Sequence, residues 1–427
     1  MTKVKPFRAL VYNQEKIKDL SCVVCPPYDV ISPERQEHYH GIDQYNFIHI
    51  LLSKAAAGED KYAKAGNLFG QWQKSGVFTR DKEPAIYFYS QLYNLNGEKK
   101  TRYGFMALLR LGDSREARVF AHENTRSAAK EDRLKLIRQV RANLSPIFVV
   151  FQDKKRVIPR ITGKYLEQLK PAIAITDDEQ AEHKVWRITS PEIVKIVQEG
   201  LSDENIFIAD GHHRYEVACA YQEEMRQKLG RLTGQEECNY ILAYFTSAES
   251  RGLTILPIHR LVKLEARRSI QEIISGLKEN FVVEEVKDKE KFFFLLKKGG
   301  ESEHIIGMYK DAKFWFLRLK NVGILDRIIS DKPRDYRLLD VSILNYLVLN
   351  NVLGLGLEDK DSISFNPCAQ ELIAQVDADP GSIAFFLNPV KVGQIMSVAL
   401  EGEKMPPKST YFYPKVLSGL VINKLEP

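Results

Sequence analysis

Cysteine is scarce in this chain. Five residues, Cys22, Cys25, Cys219, Cys238 and Cys368, are scattered over 427 positions, too few and too dispersed for a disulfide framework. Cys22 and Cys25 form a C-x-x-C, but zinc needs a second ligand pair at matching spacing. A redox pair belongs at the strand–helix junction of a thioredoxin-like unit. Here Pro26 and Pro27 follow, which enforce an extended, turn-rich segment, so the pair is read as structural. Long apolar runs are also missing, none approaching the ~20 residues that span a bilayer. The opening MTKVKPFRALVYNQEK lacks the apolar stretch of a secretory leader. A soluble, cytoplasmic protein with no membrane partner is expected. Nor does one sign of charge dominate: 62 basic against 56 acidic residues leave +6, which does not by itself imply nucleic acid and suits phosphate-bearing small molecules equally well.

What is present is ordinary globular composition, 44% hydrophobic and 28% charged, which excludes a disordered or collagen-like chain. The length corresponds to about three units of domain size. Strand-like and helix-like stretches alternate without a detectable repeat, giving a mixed α/β (α+β) protein. Residues 85–95 and 102–111 are apolar and aromatic around Asn96-Gly97, a hairpin signature. Leu134, Ile137, Val140 and Leu144 fall at helical spacing and Pro146 stops that helix; 147–151 then reads as a buried strand. Residues 205–230 read as a strand, a sharp turn and a helix with Ala218, Tyr221, Met225 and Leu229 on one face. Strands at 240–247 and 253–258 are expected to continue the sheet. The pattern restarts after a boundary near residue 265, with a helix at 269–280, strands near 281–286 and 313–319, and a helix over 340–354.

The richest chemistry lies at that strand–helix turn. A helix N-terminus exposes unpaired N–H groups and a partial positive charge. Gly211 permits close backbone approach, Arg214 offers a planar fork, and His212 and His213 can donate to phosphate oxygens. Asp210, at the strand end, is placed to hold magnesium or take a proton. The bland alternative is an Asp-Gly turn with a capping aspartate. A second group is His122-Glu123-Asn124-Thr125, with Glu123 a possible general base. Behind it stand Arg126, Lys130, Arg133, Lys135, Arg138 and Arg141 against only Glu131 and Asp132, read either as phosphate clamps or as a solvated helix face. Asp29 and Ser32 close a proline-fixed loop suited to a pocket wall. Lys408-Ser409-Thr410 suits phosphate or carboxylate, although the glycine-rich frame of a P-loop is absent.

PPYDVIS (26–32), HENT with EDR (122–133), ADGHHRY (209–215), HRLV (259–262) and MPPKSTYFYPKVLSGL (405–420) occur in this order. Together they resemble a widespread prokaryotic family labelled as a domain of unknown function, over nearly the whole chain. The ADGHHRY turn is similar to the phosphate-binding turn of the ParB/sulfiredoxin superfamily, whose Gly-x-x-Arg element is matched by Gly211 to Arg214. His212 stands where sulfiredoxins carry a reactive cysteine, which argues against sulfinic acid reduction. The resemblance implies a ParB/sulfiredoxin-like phosphate-binding core within 1–265 and an additional α/β region over 266–427. It further implies a free serine kinase-like phosphotransferase that makes O-phospho-L-serine from L-serine with pyrophosphate, ATP or ADP as donor and Mg2+ as cofactor. On this reading Glu123, Asp210 and His122 are catalytic. Gly211, His212, His213, Arg214 and Arg133 bind phosphate, and Asp210 meets the metal. Asp29, Ser32, Lys408, Ser409 and Thr410 bind substrate. The alternatives are a ParB-like nucleotide-gated nucleic-acid binder, disfavoured by the missing helix-turn-helix partner, and a phosphohydrolase using the same phosphate site.

Overall fold

The computed structural model describes residues 2–112, 118–125, 127–230, 232–264, 269–356 and 362–426. Arg126 and the sequence-based boundary at 265 lie outside them. The chain divides into two compact units, Met1–Thr254 with Pro414–Pro427, and Ile255–Tyr413.

The first unit is built on a nine-stranded sheet. In chain order its strands are β1 (Val4–Lys5), β2 (Ile86–Leu95), β3 (Glu98–Arg110), β4 (Val119–Phe120), β5 (Ile147–Phe151), β6 (Ile173–Thr176), β7 (Glu182–Ile188), β8 (Ile206–Asp210) and β9 (Tyr240–Ser247). They lie side by side as β4-β8-β5-β9-β3-β2-β7-β6, with β1 paired along part of β3. The pairs β4/β8 and β5/β9 are parallel and the other ladders antiparallel. Leu95 pairs with Glu98, so the loop is Asn96-Gly97 at φ 52° and 84°. This is the primed turn whose twist matches its strands. Every residue of β5 is buried, as an unbroken apolar run requires. Phe105 of β3 stacks on Phe245 of β9 with ring centroids 5.0 Å apart, at the centre of a core that also takes in Phe88 and Phe151.

Three helices matter for the site: α1 (Pro33–Ile42), α2 (Ser127–Val140) and α3 (His212–Leu229). The α2 helix stops short of Leu144. Arg141 takes a left-handed φ of 48°, and Ala142–Asn143 then pairs with Asn423–Lys424 from the chain's end. On α3, Ala218 and Tyr221 are buried as expected and Met225 packs on a satellite cluster, but Leu229, the last helical residue, is exposed. Thr254–Leu256, expected to extend the sheet, stays outside it. The C-terminal segment instead returns to this unit. Ser418 and Cys25 exchange backbone bonds of 2.8 and 3.3 Å, and Ile422 and Leu10 bonds of 3.0 and 2.9 Å.

The second unit carries a six-stranded, wholly antiparallel sheet. Its strands are β10 (His259–Lys263), β11 (Phe281–Val286), β12 (Ile305–Lys310), β13 (Lys313–Leu319), β14 (Ile363–Asn366) and β15 (Ser382–Phe386), in spatial order β11-β13-β12-β15-β10-β14. Phe292 of α4 (Lys289–Gly299) is fully buried and stacks on Phe316 at 4.9 Å. The helix expected over 340–354 is α-helical only at Asp340–Ile343 and continues as π-helix through Asn350. Among the described residues no helix is long and apolar enough to cross a membrane.

His259 of β10 is buried, and its Nδ1 accepts the Leu387 N–H at 3.2 Å. Burial, with Arg260 beside it, pulls its pKa down to about 4. Between about pH 6.5 and that value the unfolded chain binds a proton that folded His259 does not, so stability falls as pH falls through this window. The contribution lost by full protonation is about 3 kcal/mol. His259→Asn keeps an acceptor for Leu387 but cannot titrate. Urea denaturation of this variant should show a flatter dependence on pH than the wild type, and an unchanged slope would remove His259 from the acid response.

Candidate functional site

The apolar run of β8 carries Asp210 to the sheet's end, and Gly211 turns the chain into α3. Its φ of 92° is left-handed, and a Cβ there would sit 2.9 Å from the Arg214 guanidinium. Glycine is therefore required on both backbone and steric grounds. One turn into the helix, Arg214 folds back. Its guanidinium donates to an Asp210 carboxylate oxygen and to the Pro146 carbonyl, and lies 3.7 Å from Asp29. The other Asp210 oxygen accepts from Lys415. Burial opposes ionisation of Asp210, but Lys415 and Arg214 outweigh it and hold the carboxyl well below the usual carboxylate range. Lys415 is fixed from behind, since Gln91 donates to its carbonyl at 2.8 Å and buried Arg102 donates to the Pro414 carbonyl.

Beside this network lies a chain of histidines. The His122 backbone N–H points at Nε2 of His212 at 3.3 Å, and the two rings meet edge to face at 4.6 Å. Because Nε2 accepts, neutral His212 carries its proton on Nδ1. That nitrogen stands 3.6 Å from a Glu123 carboxylate oxygen, whose side chain keeps 30% of its surface exposed. Both histidines are buried. Nδ1 of His212 thus faces Glu123, and its Nε2, engaged by the His122 N–H, is not the donor that a phosphate contact would use. His213, the next residue along α3, is half-buried.

Other expected residues have different work. Arg133 is buried, donating to Asp132 at 2.7 Å and to the Leu51 carbonyl at 2.9 Å, with its guanidinium 4.4 Å from the Tyr28 ring centre. Burial disfavours the Asp132 carboxylate, yet Arg133 and Lys61 bring its pKa down to about 2. The basic face of α2 is neutralised within the unit: Lys130 pairs with Glu216 at 3.0 Å, Lys135 with Glu131 at 2.9 Å, and Arg138 with Glu224. Ser32 caps α1, accepting from the Arg35 N–H at 3.2 Å. Lys408, Ser409 and Thr410 belong to the second unit. There Lys408 is exposed at φ 55° and Ser409 is buried with its hydroxyl on the Pro406 carbonyl.

Sequence reasoning passed over two residues. Lys415 sits in the same C-terminal motif as Lys408, but nothing local marks it as Asp210's partner. Tyr28 places a buried phenol, unbonded to any described residue, beside Arg214 and Arg133, with its pKa pushed up to about 12, chiefly by burial. Magnesium does not fit Asp210 as built. Both its oxygens face cations, and among the described residues no group of three or more His, Cys, Asp or Glu could hold a metal ion.

A family model described as a protein of unknown function, DUF1015, matches residues 4–342, and the chain belongs to that family. No curated protein matches it. Among solved structures, a conserved hypothetical protein from Pyrococcus furiosus is 13% identical, with 69% of this chain and 87% of that one covered at TM-score 0.31. A free serine kinase in complex with AMP is 13% identical, with coverage of 69% and 83% at TM-score 0.32. SbnI with C-terminal truncation, from Staphylococcus aureus, is 11% identical, with coverage of 73% and 85% at TM-score 0.37.

Removing one member of a buried ion pair costs ~3–5 kcal/mol, because the partner is left charged and unpaired. Asp210→Ala should therefore destabilise the first unit by about that much. Adding Lys415→Met should recover part of the loss, as coupled sites do. Chemical denaturation of the single and double variants tests this, and strictly additive losses would show that the two residues are not coupled.

Proposed function

We propose that the β8–α3 turn is a phosphoryl-transfer centre acting on a small alcohol, in particular free L-serine, to give O-phospho-L-serine. The observation that carries this reading is the Glu123 carboxylate. It is partly exposed and held 3.6 Å from a histidine of fixed tautomer, at the N-terminus of a helix of 18 residues. Phosphoryl transfer needs positioning and charge stabilisation more than covalent help. Glu123 takes the hydroxyl proton as the serine oxygen forms its bond to phosphorus. The bond from phosphorus to the donor's bridging oxygen breaks, and the donor leaves with that electron pair. The positive end of α3, with His213, faces the transferred group. Arg214 and Lys415 supply positive charge one turn away, and Asp29 is suited to the serine ammonium.

Phosphorus NMR of the purified chain with L-serine tests the reading, with pyrophosphate, ATP or ADP in separate tubes, each with and without magnesium. A serine-dependent phosphoserine signal is expected with at least one of the three donors. Phosphate release without serine would assign the site to hydrolysis, and silence in every tube would end the phosphotransferase reading. Glu123→Gln should lower kcat by about 10²–10⁴-fold, the usual weight of a general base, while leaving donor KM nearly unchanged. Wild-type turnover in this variant would reduce Glu123 to a structural partner of His212.

A further inference from the structure

The second unit holds a cavity of about 420 Å³, lined among others by Glu301, His304, Asp340, Asn388 and Lys391. That volume lies in the ~300–1,000 Å³ range of small-molecule pockets. Its wall is firmly built. Asn388 donates to the Leu296 carbonyl at 3.1 Å, and Gly300 leaves it room, since a Cβ there would lie 2.2 Å from the Asn388 amide nitrogen.

His304 stands just before β12, its Nδ1 2.8 Å from an Asp340 carboxylate oxygen. A carboxylate at that distance puts the proton of the neutral ring on Nδ1 and leaves Nε2 as an acceptor. No described residue bonds Nε2, and the side chain is 25% exposed. Of the charged residues lining the cavity, Glu303 pairs with Arg318 and Asp340 with His304, while Lys391 and Glu301 are exposed and have no ion pair among the described residues.

We infer that this cavity is a binding site for a free α-amino acid, distinct from the turn that carries Glu123. The ligand's carboxylate meets Lys391, its ammonium meets Glu301, and a donor on its side chain meets Nε2 of His304. Asp340 is a positioning residue that fixes the imidazole. The assignment stands on the second unit alone and does not depend on phosphoryl transfer.

The test uses the full chain labelled with 15N at its 9 histidines, His304 being identified as the ring signal lost in His304→Gln. Each protein amino acid is added at about 10 mM, where even millimolar affinity saturates. At least one should move the His304 signal saturably, and do so equally well in Glu123→Gln. Its decarboxylated amine should not. Lys391→Met and Glu301→Gln change exposed side chains, so both variants should fold, as circular dichroism will verify. Each should weaken binding about tenfold or more, the weight of one charge-assisted hydrogen bond. Failure of every amino acid to move His304, or affinity unchanged in both variants, would overturn the proposal.

Discussion

The first unit depends on the charge network in which Asp210 is held by Arg214 from one side and Lys415 from the other. It joins a strand end, a helix and a segment 205 residues downstream. Desolvating these ions is costly, and the geometry compensates only while every partner is in place. Neutral contacts make that possible: Gln91 and Arg102 fix the backbone at Pro414 and Lys415, and the Cys25–Ser418 bridge fixes the segment just beyond. The turn at Gly211 is thus pre-set, and the first N–H groups of α3 have a fixed direction before any ligand arrives.

The same network changes the meaning of its residues. Arg214, read from sequence as a phosphate fork, has both terminal nitrogens engaged by Asp210 and the Pro146 carbonyl. A bidentate grip by those two nitrogens is therefore already taken within the unit. Glu123 differs because its histidine partner leaves part of the carboxylate in solvent. The most accessible carboxylate of this turn is therefore the one outside the Asp210 network, while the strongest charges hold the backbone together.

What was legible in the sequence was local. The Asn96-Gly97 hairpin, the buried run of β5 and the strand–turn–helix at 206–229 each depend on neighbours in the chain, and each is found. What was not legible depends on distant partners. The end of α2 is set by pairing of Ala142–Asn143 with the chain's last residues, which overrides the apolar spacing that ran on to Leu144. The surplus charge of α2 was countable, but its cancellation by Glu216 and Glu224 on α3 was not. Lys415 escaped notice because a lysine between an aromatic strand and an apolar tail has no local signature. Ser32 shows that a local signature can also be passed over, since a serine just before Pro33 is a helix cap by composition alone.

Each unit contains a histidine oriented by a carboxylate, and the contrast between them separates two uses of one device. His212 is buried, its Nε2 is taken by the His122 N–H, and the exposed member of the pair is Glu123. There the imidazole serves the acid. In the second unit the carboxylate is the less exposed partner, and the imidazole keeps an open nitrogen on a cavity. There the acid serves the imidazole. A group that must accept a proton during reaction gains from the first arrangement, because the carboxylate meets solvent and substrate directly. A group that must recognise a donor at equilibrium gains from the second, because a fixed tautomer makes the acceptor constant. In both units burial decides which member of a carboxylate–histidine pair stays open, the Glu123 carboxylate in the first and Nε2 of His304 in the second.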